Sequence, residues 1–357
     1  MPFQFAIDKE GTGFRRTTSY EKYIGGANRP PTLTVECGAL VYKILFDKEG
    51  KPVANGVYYR NRDKDFKTVY VNHEVILSAG TVASPKILLH SGVGPKDELE
   101  ALGIPVVKDL PAVGKNFYDD IGLPTIFTQK KPLPAQPYGF ITSGAFASDK
   151  PDFDPKNPKY AEVNLEMQVC SSDLPGAPPI ANIPYYSVGM AAMHLKSRGS
   201  ITLASNNPLD LPVIDPNYLS DPADIEQCKF GLKLSLEISW AEAMNDWRGI
   251  PLLPTAFPCA SRPDGWFWFG LEPSFDQYLE DYIRTFAVSI QHYIGTCAMG
   301  TDPLSSVVGP DLKVHGISGL RVIDASIAPT PVTGNTAGVS YLIGAKGAKL
   351  LKKHNSA

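Results

Sequence analysis

Eleven prolines crowd one part of this chain, at positions 124, 132, 134, 137, 151, 155, 158, 175, 178, 179 and 184. Each fixes φ and removes a backbone donor, so helices are broken between them and extended segments joined by loops are favoured. Between Gly122 and Ile290, the segments Gly139 to Phe146, Ala161 to Val169, Tyr185 to Leu195 and Ser200 to Ala204 read as strands. One long helix is expected there, from Pro222 to Ala243. Asp221 is its N-cap, Pro222 takes the first helical position, and Asp224 stands in the first turn, where the helix dipole favours negative charge. Trp266, Phe267, Trp268 and Phe269 form an aromatic cluster that suits a core or a pocket wall, core being the commoner use. The middle of the chain is therefore expected to be a sheet-based unit.

The flanks have a different character. Leu33 to Phe46, Val57 to Tyr59 and Thr68 to Leu77 are rich in Val, Ile, Tyr and Thr and read as strands, with Gly50 and Asn61-Arg62-Asp63 at the turns. Ser84 is expected to cap a helix that has Pro85 at its first position, buries Ile87, Leu88 and Leu89, and ends near Gly92. From Lys313 onward short strands return, Leu320 to Ile323 being the clearest, followed by a closing helix from Val339 to Leu351. The expected fold is thus α/β (α+β), with two end segments sharing one domain and an antiparallel sheet inserted between them. The boundaries are 1–119, 120–291 and 292–357.

A chain of 357 residues with 43% apolar content can bury one large or two ordinary cores. Thirty-four basic and 37 acidic residues leave a net charge of −3, which provides no electrostatic footprint for nucleic acid. No run of 18 apolar residues is present, and Met1-Pro2-Phe3-Gln4 lacks the basic and apolar regions of an export signal. A soluble, unexported chain without a membrane span is the expectation, and its compartment stays open. The five cysteines are far apart and read as buried free thiols. The six histidines have no metal-ligand spacing, so no metal site is expected.

Chemistry is concentrated in two places. The first is Gly80-Thr81-Val82-Ala83-Ser84-Pro85-Lys86-Ile87-Leu88-Leu89-His90-Ser91-Gly92-Val93-Gly94, whose glycines permit a tight turn and close backbone approach. The second is a series near the C-terminus: Gln291-His292-Tyr293-Ile294-Gly295-Thr296-Cys297-Ala298-Met299-Gly300, then Leu320 to Ser326, then Gly334-Asn335-Thr336-Ala337. An imidazole titrates near neutrality and can accept a hydroxyl proton or hold an alkoxide. A carboxamide can donate to the same oxygen but cannot take the proton. Asp324, after a short strand, is by itself an ordinary strand-end cap. Thr336 and Ala337 open a helix whose N-terminal N–H groups favour an anion.

The fifteen residues from Gly80 to Gly94 fit, at every defined position, the second signature of the glucose-methanol-choline (GMC) family of flavin oxidoreductases. The C-terminal series resembles the same family's catalytic segment, including the eleven-residue step from Asp324 to Asn335. Ser197-Arg198-Gly199-Ser200, Asp215-Pro216-Asn217-Tyr218 and Val113-Gly114-Lys115-Asn116 leading to Asp119 extend the resemblance from about Gly13 to Lys352.

The resemblance implies a Rossmann-like FAD-binding domain carrying an inserted antiparallel-sheet substrate domain. It implies oxidation of an alcohol's CH–OH group to a carbonyl, with His292 as base, Asn335 as its hydrogen-bonding partner, and FAD as hydride acceptor. Val41, Ala79, Gly80, Asp324, Ala325, Thr336 and Ala337 are the implied FAD contacts. A small-molecule alcohol is the implied substrate, and oxygen or a quinone-like compound the electron acceptor. The family's opening G-x-G-x-x-G turn is missing here, so the FAD domain is expected to be incomplete and an N-terminal half to be missing. A second departure is Asp120, where the family commonly has His. The alternatives are a lyase of the hydroxynitrile type that uses flavin only as scaffold, and a cofactor-free binding protein derived from the family.

Overall fold

The structure is a computed structural model that describes residues 6–10, 13–25, 29–47, 50–131, 141–154, 156, 161–171, 184–259, 265–268 and 274–355. Strands β1 (Leu40–Asp47), β2 (Val53–Arg60) and β3 (Phe66–Tyr70) form an antiparallel sheet. Strand β4 (Val75–Leu77) then leads through Ser78 and Ala79 into helix α1 (Gly80–His90). The middle of the chain supplies β5 (Ile121–Leu123), β6 (Ile126–Gln129), β7 (Ile141–Ala147), β8 (Val163–Ser171), β9 (Pro184–Ala192), helix α2 (Pro222–Trp240), β10 (Arg248–Leu253), helix α3 (Phe275–Phe286) and β11 (Val288–Ser289). Strand β12 (Leu320–Val322) and helix α4 (Ala337–Asn355) complete the chain's main elements.

The proline-rich middle forms a seven-stranded sheet in the order β7-β8-β9-β6-β10, with β5 bridging β9 and β11, and every pair in it is antiparallel. Helix α2 covers this sheet with Ile225, Cys228, Leu232 and Leu236, a three-to-four-residue spacing that sets one apolar face inward. Its cap is as expected: the Asp221 side chain accepts the Ala223 N–H at 2.9 Å, and Pro222 opens the helix. Lys229 ties α2 to α3 through Asp276 at 2.6 Å.

A second core belongs to the two ends of the chain. It joins Ile44, Ala54, Val75, Leu77, Leu88 and Leu89 to Cys297, Val307, Leu320, Val322 and Ile327. Strands β4 and β12 pair in parallel with Val75 opposite Leu320, although some 240 residues separate them. The fold is therefore mixed α/β, with an antiparallel sheet inserted between end segments that pack together.

Several local expectations need correction. Helix α1 begins at Gly80, not at Pro85, and Ser84 lies inside it, where its hydroxyl accepts from Ala79 N–H and donates to Asp324. The expected strand Thr68 to Leu77 is two strands, because β3 belongs to the antiparallel sheet and β4 to the parallel pair, so the chain must bend between them. Residues 33–39 are not strand; Gly38 turns there with φ +73° before β1 starts. Ser200–Thr202 pairs with Val213–Asp215 outside the large sheet. The ring of Trp266 stacks on Phe275 at 5.3 Å and serves the core, whereas Phe269 lies outside the described residues. Cys228 and Cys297 are buried thiols, but Cys37 is exposed and Cys259 half-buried. Among the described residues, no helix is long and apolar enough to cross a membrane.

One titration is built into α1. Burial, reinforced by the nearby Lys86 ammonium and opposed by Asp210, lowers His90 from its ordinary 6.5 to about 4. Unfolded, His90 takes up its proton near 6.5, so the unfolded state binds more protons over this range and stability is lost as pH falls from about 6.5 to about 4. His90→Gln is expected to flatten that part of a plot of Tm against pH. Equal slopes in the two proteins would exclude His90 as the cause.

Candidate active site

The signature helix and the C-terminal histidine segment are bonded directly to each other. Pro85 has no N–H to give the carbonyl four residues before it, so the Thr81 carbonyl is left without its helical donor. Thr296 Oγ1 donates to that carbonyl at 2.6 Å, and Thr81 Oγ1 donates to Tyr293 O at 2.8 Å. A proline within the helix thus creates the acceptor by which the histidine segment is attached. Gly295 lies between these two bonds at φ +97°, where an added Cβ would stand 2.2 Å from Asn116 O. Only glycine allows that approach.

His292 faces residues 118–120 across a short antiparallel contact. Tyr118 N–H donates to Ile294 O at 3.1 Å, and Ile294 N–H donates to Tyr118 O at 3.0 Å. Gln291, at φ +63°, turns the chain so that the His292 N–H donates to Asp119 Oδ1 at 2.7 Å. Asp119 Oδ2 accepts from the Tyr218 hydroxyl, which joins two of the segments that carry the sequence resemblance. Burial raises the Asp119 carboxyl above the ordinary carboxylate range, while its hydrogen bonds act the other way. The His292 side chain is 14% exposed, and its Nδ1 lies 2.8 Å from Asp120 Oδ2. In the sequence Asp120 stands out only as a departure from the resembled pattern, and nothing local to it points to this contact.

Residues 193–195 connect this cluster to the other predicted catalytic segment. Leu195 N–H donates to Tyr118 Oη at 3.3 Å, and Tyr118 Oη donates to Asp120 Oδ1. One residue earlier, His194 Nε2 meets Thr333 Oγ1 at 2.9 Å, and Met193 Sδ accepts the Gly334 N–H at 3.2 Å. Asn335 follows Gly334 directly and is half-buried. Burial lowers His194 below its ordinary value, with the nearby Asp120 charge opposing. His194 and Tyr118 carried no motif signal, since contact alone links them to the site.

Four of the predicted cofactor residues, Ala79, Gly80, Asp324 and Ala325, are tied to one another. Asp324 Oδ2 accepts from Gly80 N–H at 3.0 Å and from Ser84 Oγ at 2.6 Å, and its Oδ1 accepts from Ser326 N–H at 2.8 Å. It therefore clamps the start of α1 to the 3₁₀ turn Ala325–Ile327, which also packs against α4. Ala79, Gly80, Asp324 and Ala325 are brought together in this way, with Thr336 and Ala337 at the start of α4. Gly80 has φ +83° and open space where a Cβ would stand, and Gly338 in the first turn of α4 is equally open. That first turn holds no acidic residue. The open glycines leave room for close approach of a ligand, and a helix N-terminus with no acidic residue in its first turn fits an anionic cofactor such as FAD. Val41 is placed elsewhere: it packs on the core shared by the chain ends, on a strand anchored to the far end of α1 by the Ile44 N–H to Ser91 Oγ bond of 2.8 Å.

Two family models described as GMC oxidoreductase match the chain, one over residues 10–121 and the other over residues 196–344. The oxygen-dependent choline dehydrogenase of Pseudomonas fluorescens (strain SBW25) is 30% identical over 97% of this chain and 60% of its own length. An alcohol dehydrogenase [acceptor] of Pseudomonas putida is 33% identical over 96% of this chain and 64% of its own. In three dimensions the chain matches the crystal structure of pyridoxine 4-oxidase from Mesorbium loti with a TM-score of 0.80 and 27% identity, over 94% of this chain and 61% of that one. The chain belongs to the GMC oxidoreductase family. It spans about 60% of the length of the choline dehydrogenase it matches.

Proposed function

We propose that this chain carries the catalytic side of an FAD-dependent oxidoreductase that oxidises the CH–OH group of a small alcohol to a carbonyl. The observation that carries this reading is the bonding of the His292 segment to signature helix α1 through Thr81 and Thr296, with the arm before Asn335 attached to the same cluster. The names of the relatives, which include a choline dehydrogenase, an alcohol dehydrogenase and a pyridoxine 4-oxidase, agree with an alcohol substrate. Residues 1–119 and 292–357 would form the cofactor side and residues 120–291 the substrate side, a division that most of the two cores follow, with Tyr118, Ile294 and Ala328 packing into the middle one.

When bound, FAD supplies the two-electron acceptor that takes the hydride from the carbinol carbon. Ala79, Gly80, Asp324, Ala325, Thr336 and Ala337 would hold its flavin end. His292 accepts the hydroxyl proton as the carbon–oxygen bond gains double-bond character, which lowers the barrier because negative charge would otherwise build on oxygen. Asn335 donates to the same oxygen and orients it. Oxygen or a quinone-like compound would be the terminal electron acceptor.

An absorbance spectrum of the purified chain supplied with FAD tests the reading. A bound flavin band that bleaches when a small alcohol is added without oxygen is the expected result. Consumption of substrate without bleaching would favour the lyase reading, and failure to retain flavin would overturn the proposal for this chain.

A further inference from the structure

We propose that Asp120 is the positioning residue of the His292 base: its carboxylate holds the imidazole by Nδ1–H and so leaves Nε2 as the nitrogen that takes the substrate proton. This rests on the reading of His292 as base. A neutral imidazole has one donor and one acceptor nitrogen, and the partner at one nitrogen decides what the other can do. Here the partner at Nδ1 is Asp120 Oδ2 at 2.8 Å.

The rest of the network fixes which way the bond points. Tyr118 Oη accepts the Leu195 N–H, so its single proton is directed to Asp120 Oδ1. A carboxylate that accepts on one oxygen accepts on the other as well when ionised. With Asp120 ionised, Nδ1 carries the hydrogen and the lone pair is on Nε2.

The two adjacent carboxylates divide the work: Asp119 holds the His292 backbone N–H, and Asp120 holds the ring. Asp120 is 2% exposed, so its pairing is little screened by water. When Nε2 takes the proton from the substrate hydroxyl, the Asp120 carboxylate keeps the ring oriented through its contact with Nδ1. Asp120 exchanges no proton, and the hydride goes to the flavin of the parent reading. Among the described residues, the ionisable groups that act on Asp120 include Tyr118, Asp119 and His194, with Tyr218 on Asp119, Tyr293 beside Tyr218, and the Arg198 guanidinium 4.9 Å from the centre of the Tyr118 ring. The resemblance marks position 120 as one where histidine is common, and a histidine there would offer the imidazole a ring nitrogen in place of a carboxylate.

Nitrogen NMR of the 357-residue chain carrying ¹⁵N-labelled histidine tests the assignment, with the His292 signal identified from its loss in His292→Gln. The expected result is a His292 ring protonated at Nδ1 in the wild type, and at Nε2 in Asp120→Asn, where the amide NH₂ turns toward Nδ1. Tyr118→Phe leaves the carboxylate in place and should keep the wild-type form. In the FAD-loaded protein, Asp120→Asn is expected to lower kcat about tenfold or more with little change in KM. A wild-type His292 protonated at Nε2 overturns the proposal even if Asp120→Asn does not fold, and an unchanged ring in Asp120→Asn overturns it equally. Full turnover in His292→Ala would instead overturn the parent reading while leaving the NMR result intact, so the two failures can be told apart.

Discussion

Replacing His292 with alanine is expected to lower alcohol turnover by about 10² to 10⁴-fold, the usual worth of a positioned proton acceptor. The tie from this residue to Asp119 runs through its backbone N–H and survives the loss of the ring, while Asp120 loses its partner at Oδ2. Tyr118 and Ile294 hold the two segments in register by main-chain bonds, so the local structure should persist. The loss should fall on kcat and kcat/KM alike if the imidazole acts only as charge develops, whereas a rise in KM alone would assign it to substrate binding. Steady-state kinetics over a series of small alcohols measures this. Near-normal turnover would remove His292 from the role.

The largest effect on stability is expected from Glu74→Ala. Arg321, on β12, is 3% exposed at its side chain, and its guanidinium donates to both oxygens of Glu74, at 2.5 and 3.1 Å. A third donation from Arg321 to the Asp311 carbonyl fixes the fork. Taking away the carboxylate leaves a buried cation without its counter-charge, which costs about 3–5 kcal/mol. Because Glu74 directly precedes β4, the pair secures the parallel contact that joins the two ends of the chain. Replacing both partners, as in Glu74→Leu with Arg321→Met, should recover most of the loss, since no charge is then stranded. Denaturant midpoints of the three proteins measure it, and a loss below about 1 kcal/mol in Glu74→Ala would show that water or another group replaces the carboxylate.

Features written in short stretches of sequence were legible. Asp221-Pro222 opens α2 where capping chemistry requires, because an N-cap and a first-turn proline act within one turn of helix. The alternation of prolines with β-rich segments foretold the antiparallel sheet. Helix α1 starts at Gly80, with Pro85 inside it, although a local pattern places the proline at the first position. A proline usually marks the first turn, but here its missing N–H is used to free the Thr81 carbonyl for Thr296, 215 residues away. The clamp made by Asp324 on Gly80 and Ser84 is equally distant in sequence and invisible to any local pattern.

The site divides in the same way. The resemblance carried by the motifs was enough to propose His292 as base and the residues around Gly80 and Asp324 as cofactor contacts, and the structure bonds Gly80 to Asp324. It could not reveal that Asp120 meets the imidazole, that Tyr118 aims its proton at Asp120, or that His194 and Met193 hold the arm before Asn335. Side-chain chemistry, helix caps and strand propensity are properties of neighbouring residues, and the sequence by itself determined those. Which carboxylate faces which ring nitrogen depends on segments brought together from the two ends and the middle of the chain. Only tertiary packing decides it, since a hydrogen bond needs its atoms within about 3 Å and sequence separation says nothing of that distance.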